Sequence, residues 1–344
     1  MPRTIVALAA TGLLGGCIVG PDYAGLPVAA PHAEAGAPFV RASATRTVSF
    51  DPPARWWTAL REPIHSDLVE EALATNTSVQ VASARQRQSR ALLGQRTADL
   101  APTVSANTVA LSNQFPVKDF VGSGLTSGLG DSAGAASSAF TVPKSINTDL
   151  YNASFDATWE TDVFGGKQRV IEQAAAQDEA AEAAVADAQI QVAAEVAQAY
   201  VTLRGAQRRL ALTLRAASLQ REVVGLSQQR LAGGAASALD VERLRIQLET
   251  GASQASAFQA QIDQSLNQIA VLVSREPQAV DPVLKQPRTV PVPPLSLAVG
   301  DPAGMPRRRP DIRRAERQLA AANAQIGQSV ARLFPRVNLI GNAG

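Results

Sequence analysis

Over 344 residues the chain is 46% hydrophobic but only 4% aromatic, and alanine abounds, a composition that favours helices packed closely through small side chains. A formal net charge of +2 without any long basic run excludes nucleic acid as an expected partner, Arg307 to Arg309 being a short cluster beside prolines. A single cysteine excludes an internal disulfide or a cysteine metal cluster. Beyond the first residues no apolar run approaches the ~20 residues of a transmembrane helix, so any membrane crossing has to use strands.

The N-terminus carries Arg3, an apolar stretch from Ile5 to Leu14, and Leu14-Gly15-Gly16-Cys17, which has the form of a cleaved signal peptide over residues 1–17. The pattern resembles a bacterial lipobox, in which Cys17 is acylated and becomes the mature N-terminus. Ile18 after it, in place of aspartate, points to the outer membrane. A lone cysteine that closes an ordinary signal segment by chance is the alternative. Residues 18–55 are rich in Pro, Ala and Gly without a period, and are expected to form an extended tether.

Folding is expected from Trp56, in a first repeat over residues 56–275. Ile64, Leu68, Val69, Ala72, Leu73, Val79 and Ala82 recur at helical spacing as far as about Arg96, and Pro102 ends that helix. Two strands are predicted next, over 103–112 and 149–164, on either side of a Gly- and Ser-rich loop at 113–148. In the second strand Tyr151, Ala153, Phe155, Ala157 and Trp159 alternate with Asn152, Ser154, Asp156, Thr158 and Glu160. A barrel wall needs such alternation, with Tyr151, Phe155 and Trp159 toward lipid and the other face toward water. A half-buried strand of a soluble sheet alternates in the same way.

Gly165-Gly166 breaks the strand, and residues 167–231 contain no proline, which predicts a helix roughly 98 Å long. Along it Val196, Leu203, Leu210, Ala217, Val224 and Leu231 recur every seven residues, beside Val192, Ala199, Ala206 and Thr213. Gly233-Gly234 makes a turn, and Ser237 with Asp240 has the spacing of a helix cap. A second helix, 237–274, carries one heptad series through Val241, Leu248, Ala255, Ile262 and Ile269 and another through Leu244, Gly251, Phe258, Ser265 and Leu272. The two helices are expected to fold back as an antiparallel coiled-coil hairpin with its tip near Ala232 to Ala238.

A Pro-rich crossover over 276–306 follows, and then the beginning repeats. Leu100-Ala101-Pro102-Thr103-Val104 aligns with Leu333-Phe334-Pro335-Arg336-Val337 at an offset of 233, and Ala91, Gly94 and Gln95 fall on Ala324, Gly327 and Gln328. Residues 307–344 are therefore expected to start a second repeat that is incomplete, with roughly 160 further residues needed to match the first.

These stretches resemble the TolC-like outer membrane factors, in particular the lipoprotein branch that serves resistance-nodulation-division efflux pumps. The resemblance rests on CIVGPDY from Cys17, Trp56-Trp57, the run from Leu68 to Arg85, WETDVFGG from Trp159, the tip from Arg230 to Val241, and RRPDIRRAERQLAAANAQIGQSVARLFPRVNL from Arg308. It implies a mainly α fold with membrane β: long helical hairpins that form a periplasmic tunnel, and a β-hairpin contributed to a trimeric twelve-stranded outer-membrane barrel. The implied partners are two further copies, a periplasmic adaptor, an inner-membrane transporter and outer-membrane lipid. Carried over by position, Gly233, Gly234 and Ser237 belong to an adaptor-docking tip, and Asn152, Asp156 and Glu160 are expected to face the lumen. The implied function is a passive exit duct for drugs or other small molecules. Ser78 departs from the aspartate frequent at that position, which the second unit keeps as Asp311.

An enzyme is not expected, and no cofactor or metal. His32 lies in the tether, His65 stands alone and is expected at the surface, and no nucleophile elbow, phosphate loop or metal-ligand spacing occurs. Two alternatives remain: a periplasmic adaptor lipoprotein, which also combines a lipid anchor with a helical hairpin, and a truncated channel fragment that does nothing alone.

Overall fold

A computed structural model of the chain describes residues 18–25, 37–42, 46–115 and 145–344. The expected signal segment, Cys17, His32 and most of the loop at 113–148 lie outside the described residues. In chain order the elements are β1 (Thr47–Val48), α1 (Pro63–Thr75), α2 (Thr77–Ala98), β2 (Thr103–Phe115), β3 (Ile146–Thr161), α3 (Gly166–Ala232), α4 (Ala238–Leu272), α5 (Asp281–Leu284), β4 (Leu297–Ala298), α6 (Met305–Arg308), α7 (Pro310–Ala331) and β5 (Val337–Ala343). The described residues divide into two compact units, one made of those within 18–20, 94–171 and 326–344, the other of those within 21–93 and 172–325.

The helical unit is organised by α3 and α4. On α4 the heptad positions 241, 244, 248, 251, 255, 258, 262, 265, 269 and 272 are all buried or half-buried, and the residues between them from 242 to 260 are exposed. On α3 Val196, Leu203, Ala217 and Val224 are buried as their spacing predicts, while Leu231, beside the turn at the hairpin tip, stays exposed. Gln220 Nε2 donates to Gln247 Oε1 at 3.2 Å and the Arg209 guanidinium lies over the Phe258 ring, contacts that fix the two helices as antiparallel neighbours.

The core sits where the middle of α3 and the C-terminal half of α4 meet α1 and the crossover. Val196, Tyr200, Leu203, Ile269, Val69 and Leu284 are fully buried there, each large aliphatic side chain contributing about 1.5–3 kcal/mol. Ala199, Ala206 and Ala270 let the helices approach closely.

Three features differ from expectation. His65 is fully buried, not at the surface, and lies 5.4 Å from the Tyr200 ring with neither ring nitrogen hydrogen-bonded. It follows Pro63 and Ile64 at the start of an amphipathic helix, and the face it shares with Leu68, Val69 and Ala72 is the one turned to the core. The helix expected from Ile64 to about Arg96 is broken at Asn76, whose side-chain oxygen accepts from Ser78 N at 2.9 Å while its amide donates to Leu272 O at 2.9 Å. The side chain thus caps α2 and ties the break to the end of α4. The stretch expected as an extended tether is fastened at several points. Thr47–Val48 pairs in parallel with Leu297–Ala298, Tyr23 OH donates to Glu316 Oε1, and Asn323 Nδ2 donates to Pro21 O.

The strand unit is a three-stranded antiparallel sheet in the order β2-β3-β5. Thr103 pairs with Thr158 and Gln114 with Asn147, which places β2 along the length of β3; on the other side Thr161 pairs with Val337 and Phe155 with Ala343. The strand expected to open a second repeat therefore lies beside β3. Both strands run further toward the loop than the expected bounds of 103–112 and 149–164, and β3 ends at Thr161, short of the expected 164, where Asp162 turns the chain into α3.

Candidate functional site

The register decides which residues share a face. Tyr151, Ala153, Phe155, Ala157 and Trp159 of β3 lie opposite Ala110, Thr108, Ala106 and Val104 of β2 and Leu339, Gly341 and Ala343 of β5. This face is apolar and uncovered: Tyr151 is 78% exposed, Phe155 63% and Trp159 38%. Asn152, Asp156 and Glu160 stand on the other face with Ser154 and Thr158, across from Ser105, Asn107, Asn338 and Asn342. The segregation is incomplete: Ile340, opposite Thr158, and toward the loop Val109, Leu111 and Leu150 interrupt the polar face.

Polar contacts stiffen this face. Asn107 Nδ2 donates to Asp156 Oδ2 at 2.8 Å. Glu160 is tied to Lys167, whose ammonium donates to Glu160 O at 3.1 Å and Asp99 O at 2.7 Å and lies 4.0 Å from Glu160 Oε2. On the apolar face Trp159 Nε1 donates to Leu100 O at 2.8 Å, so its polar edge is satisfied at the strand end while the ring stays exposed.

The base of the sheet holds residues that no periodicity singles out. Asp162 Oδ2 accepts from Gln168 N at 2.7 Å and caps α3. Gly165 has φ +72°, and a Cβ there would lie 2.7 Å from Ile18 Cα. Phe164 and Phe334 stack with centroids 4.8 Å apart. Arg169 is 3% exposed, and its Nε and Nη2 donate to Val19 O and Gly20 O, both at 3.1 Å. The residues immediately after Cys17 are thus held at the strand roots. Only their place in the CIVGPDY stretch hinted at this, because the groups that hold them lie some 150 positions away.

The hairpin tip forms a second, separate site. Ala235 N donates to Arg230 O at 2.7 Å and Gly234 N to Leu231 O at 3.0 Å, the paired bonds of a Schellman motif with Gly234 in the left-handed conformation at φ +72°. Gly233 lies just before it, in ordinary backbone. Ser237 Oγ accepts from Asp240 N at 3.2 Å and donates to Asp240 Oδ2 at 2.6 Å, which holds the Asp240 carboxyl below the usual carboxylate range. Gly233, Gly234 and Ser237 thus come together on one exposed turn.

Among the described residues no helix is long and apolar enough to cross a membrane, and no group of three His, Cys, Asp or Glu side chains is placed to hold a metal ion.

Residues 68–274 match the family described as outer membrane efflux protein. Nodulation protein T of Rhizobium leguminosarum bv. trifolii is 31% identical over 333 residues, which cover 96% of this chain and 64% of that protein. The antibiotic efflux pump outer membrane protein ArpC of Pseudomonas putida is 30% identical over 351 residues, 100% of this chain and 67% of that protein. Of solved structures, the outer-membrane channel OprN is similar with a TM-score of 0.78 at 32% identity, over 95% of this chain and 68% of that one. The chain spans about two thirds of the length of the relatives it matches.

Proposed function

The chain belongs to the outer membrane efflux protein family and carries its TolC-like fold, and from that premise we propose that it is part of an outer-membrane duct that passes small molecules outward without changing them. The observation that carries this reading is the sheet β2-β3-β5, which has one apolar and one largely polar face, both open, with side chains such as Tyr151 and Phe155 that a soluble sheet buries. Lipid on one side and a water-filled lumen on the other satisfy both faces. The edges of the sheet have to be paired in a closed barrel shared by the copies of a trimer, since lipid does not tolerate unpaired backbone groups.

Three further parts belong to this reading. Cys17 is the lipid anchor; the support is its lipobox context and the fastening of Ile18 to Gly20 at the strand roots, where an acyl chain would enter the same leaflet as the sheet. The tip at Gly233, Gly234 and Ser237 meets a periplasmic adaptor, which links the duct to an inner-membrane transporter. The cargo is of the kind named for relatives that export antibiotics or toluene. The duct performs no bond chemistry and the chain is not an enzyme.

The test is fractionation of the Cys17→Ser variant in cells, with drug susceptibility of a channel-deleted strain that expresses the gene. An outer-membrane duct stays in the outer-membrane pellet, needs detergent for extraction even without its acyl anchor, and restores resistance when intact. Release of the variant into a salt wash would favour the adaptor reading instead.

A further inference from the structure

We infer that Val109, Leu111 and Leu150 form an apolar collar that meets the same three residues of neighbouring copies and narrows the outer mouth of the duct; this rests on the barrel reading above. The observation that carries it is a reversal of polarity along β2 and β3. From Trp159 to Tyr151 the apolar residues stand on the face assigned to lipid, about 27 Å along the strand. At the tilt of a barrel strand this is about 20 Å of height, close to the ~25 Å apolar band of an outer-membrane barrel. Beyond Tyr151 the next pairs on that face are Asp149 with Ser112 and Asn147 with Gln114, all exposed, and Gln114 Nε2 donates to Ser145 Oγ at 3.0 Å. At that level the other face turns apolar. Leu111 stands directly opposite Leu150, and Val109 follows on the same face, opposite Asn152. Val109 is 43% exposed, Leu111 48% and Leu150 55%.

Lipid does not cover this patch. A carboxylate such as Asp149 is costly in hydrocarbon, so the acyl chains end near Tyr151, an aromatic of the kind that sits at the interface, and the patch lies on the opposite face of the sheet. Polar outside and apolar inside is the pattern of a soluble sheet, whose apolar side packs on a core. In a closed barrel that side points to the axis, and a symmetric trimer presents the same patch of the two other copies there. Asn152, Ser154 and Asp156 continue this face toward the helices, so the collar is confined to the rim and narrows the path without drying the wall below it. Ile340 stands opposite Thr158, about 20 Å along the strand from the level of Val109, and is not part of the collar.

Outer membranes that carry the full chain with Leu150→Cys or Asp149→Cys are oxidised with copper phenanthroline, and the purified proteins are reconstituted in planar bilayers. Disulfide-linked dimers are expected for Leu150→Cys and not for Asp149→Cys, which lies at the same level on the opposite face. The Leu111→Asn/Leu150→Asn variant is expected to conduct in steps about two- to threefold larger than wild type. The Leu111→Ile/Leu150→Ile variant keeps the collar apolar and should conduct in wild-type steps. Equal amounts of the variants and wild type in the outer-membrane pellet show that the exposed substitutions leave the fold intact. Equal steps in wild type and the asparagine variant overturn the inference, as does the absence of a linked dimer. A Leu150→Cys thiol that is neither linked nor labelled by maleimide marks cover by another part of the same chain, and overturns it as well. Failure of the duct reads differently: wild type absent from the outer membrane, with no steps from any variant, sinks both readings, whereas wild type that conducts as the asparagine variant does sinks only the collar.

Discussion

Gly20 and Gly327 lie backbone against backbone, so that a Cβ on Gly20 would come 2.5 Å from Gly327 Cα. Gly20 also has φ +93°, a region that side chains disfavour, and a Cβ on Gly327 would meet Arg169 Cδ and Nε at 2.8 Å. The two glycines leave room for the buried guanidinium that holds Val19 and Gly20 by their carbonyls.

Alanine at either glycine should therefore loosen the N-terminal segment. Gly20→Ala and Gly327→Ala are each expected to cost about 1–3 kcal/mol, read as a lower thermal midpoint and faster proteolysis between Val19 and Tyr23. Gly94→Ala, which meets nothing within 4 Å in the interior of α2, is the control and should leave the proteolysis unchanged and raise the midpoint slightly. Equal behaviour of all three would show that the close approach does not hold the segment.

Arg169→Met removes the donors and leaves two carbonyls near the strand roots without their partner, a change expected to cost about 1–3 kcal/mol. Hydrogen exchange at Val19 and Gly165 should rise together, because Val19 N donates to Phe164 O in the same cluster. Exchange that rises at neither site would contradict the role given to this side chain.

At the tip, the two glycines should respond differently although they are adjacent. Gly234→Ala forces a side chain into the left-handed conformation at about 1–2 kcal/mol, whereas Gly233→Ala finds its nearest neighbours at 3.7 Å and should be nearly silent. Ser237→Ala removes a cap and is expected to cost about 1 kcal/mol, and the Asp240 carboxyl should then titrate closer to its ordinary range. Thermal melts of the three variants, with carbon-13 titration of Asp240, check the order. If Gly233 proved the more sensitive glycine, the Schellman assignment would be wrong.

Burial holds the His65 pKa below its ordinary value, against the opposing pull of Glu62 nearby. In the unfolded chain the imidazole binds a proton near pH 6.5, so the folded state is favoured fully above that pH and loses ground as pH falls through 6.5 toward the lowered folded value. Tyr200 and Arg204 face the same cluster, with Tyr200 OH bonded to Glu62 and the Arg204 guanidinium over the Tyr200 ring. Urea denaturation between pH 8 and pH 5 should show a decline in wild type that is reduced in His65→Leu, which keeps the volume and discards the unbonded nitrogens. Parallel curves for the two proteins would assign the decline to other groups.

What the sequence makes legible follows the length of the pattern. Heptads from Val192 to Leu231 and from Val241 to Leu272 show in a single chain because each residue repeats the same demand, and in the structure all of those named but Leu231 are buried or half-buried. The alternation from Tyr151 to Glu160 is visible for the same reason. The break at Asn76 was hidden because asparagine caps and mid-helix asparagines look alike until Leu272 supplies the partner for its amide. His65 and Arg169 were hidden for a related reason, since a lone polar residue carries no period and its burial depends on elements more than a hundred positions away.

The central claim is that the two faces of β3 meet different solvents, and single-thiol labelling in intact outer membranes tests it most directly. Cysteine is introduced singly as Tyr151→Cys, Phe155→Cys and Trp159→Cys, and as Asn152→Cys, Asp156→Cys and Glu160→Cys, with a membrane-impermeant maleimide as the probe. Positions 152, 156 and 160 are expected to react, and positions 151, 155 and 159 to stay protected until detergent strips the lipid. Uniform labelling of all six, or protection of the polar set alone, would contradict a barrel wall and with it the duct.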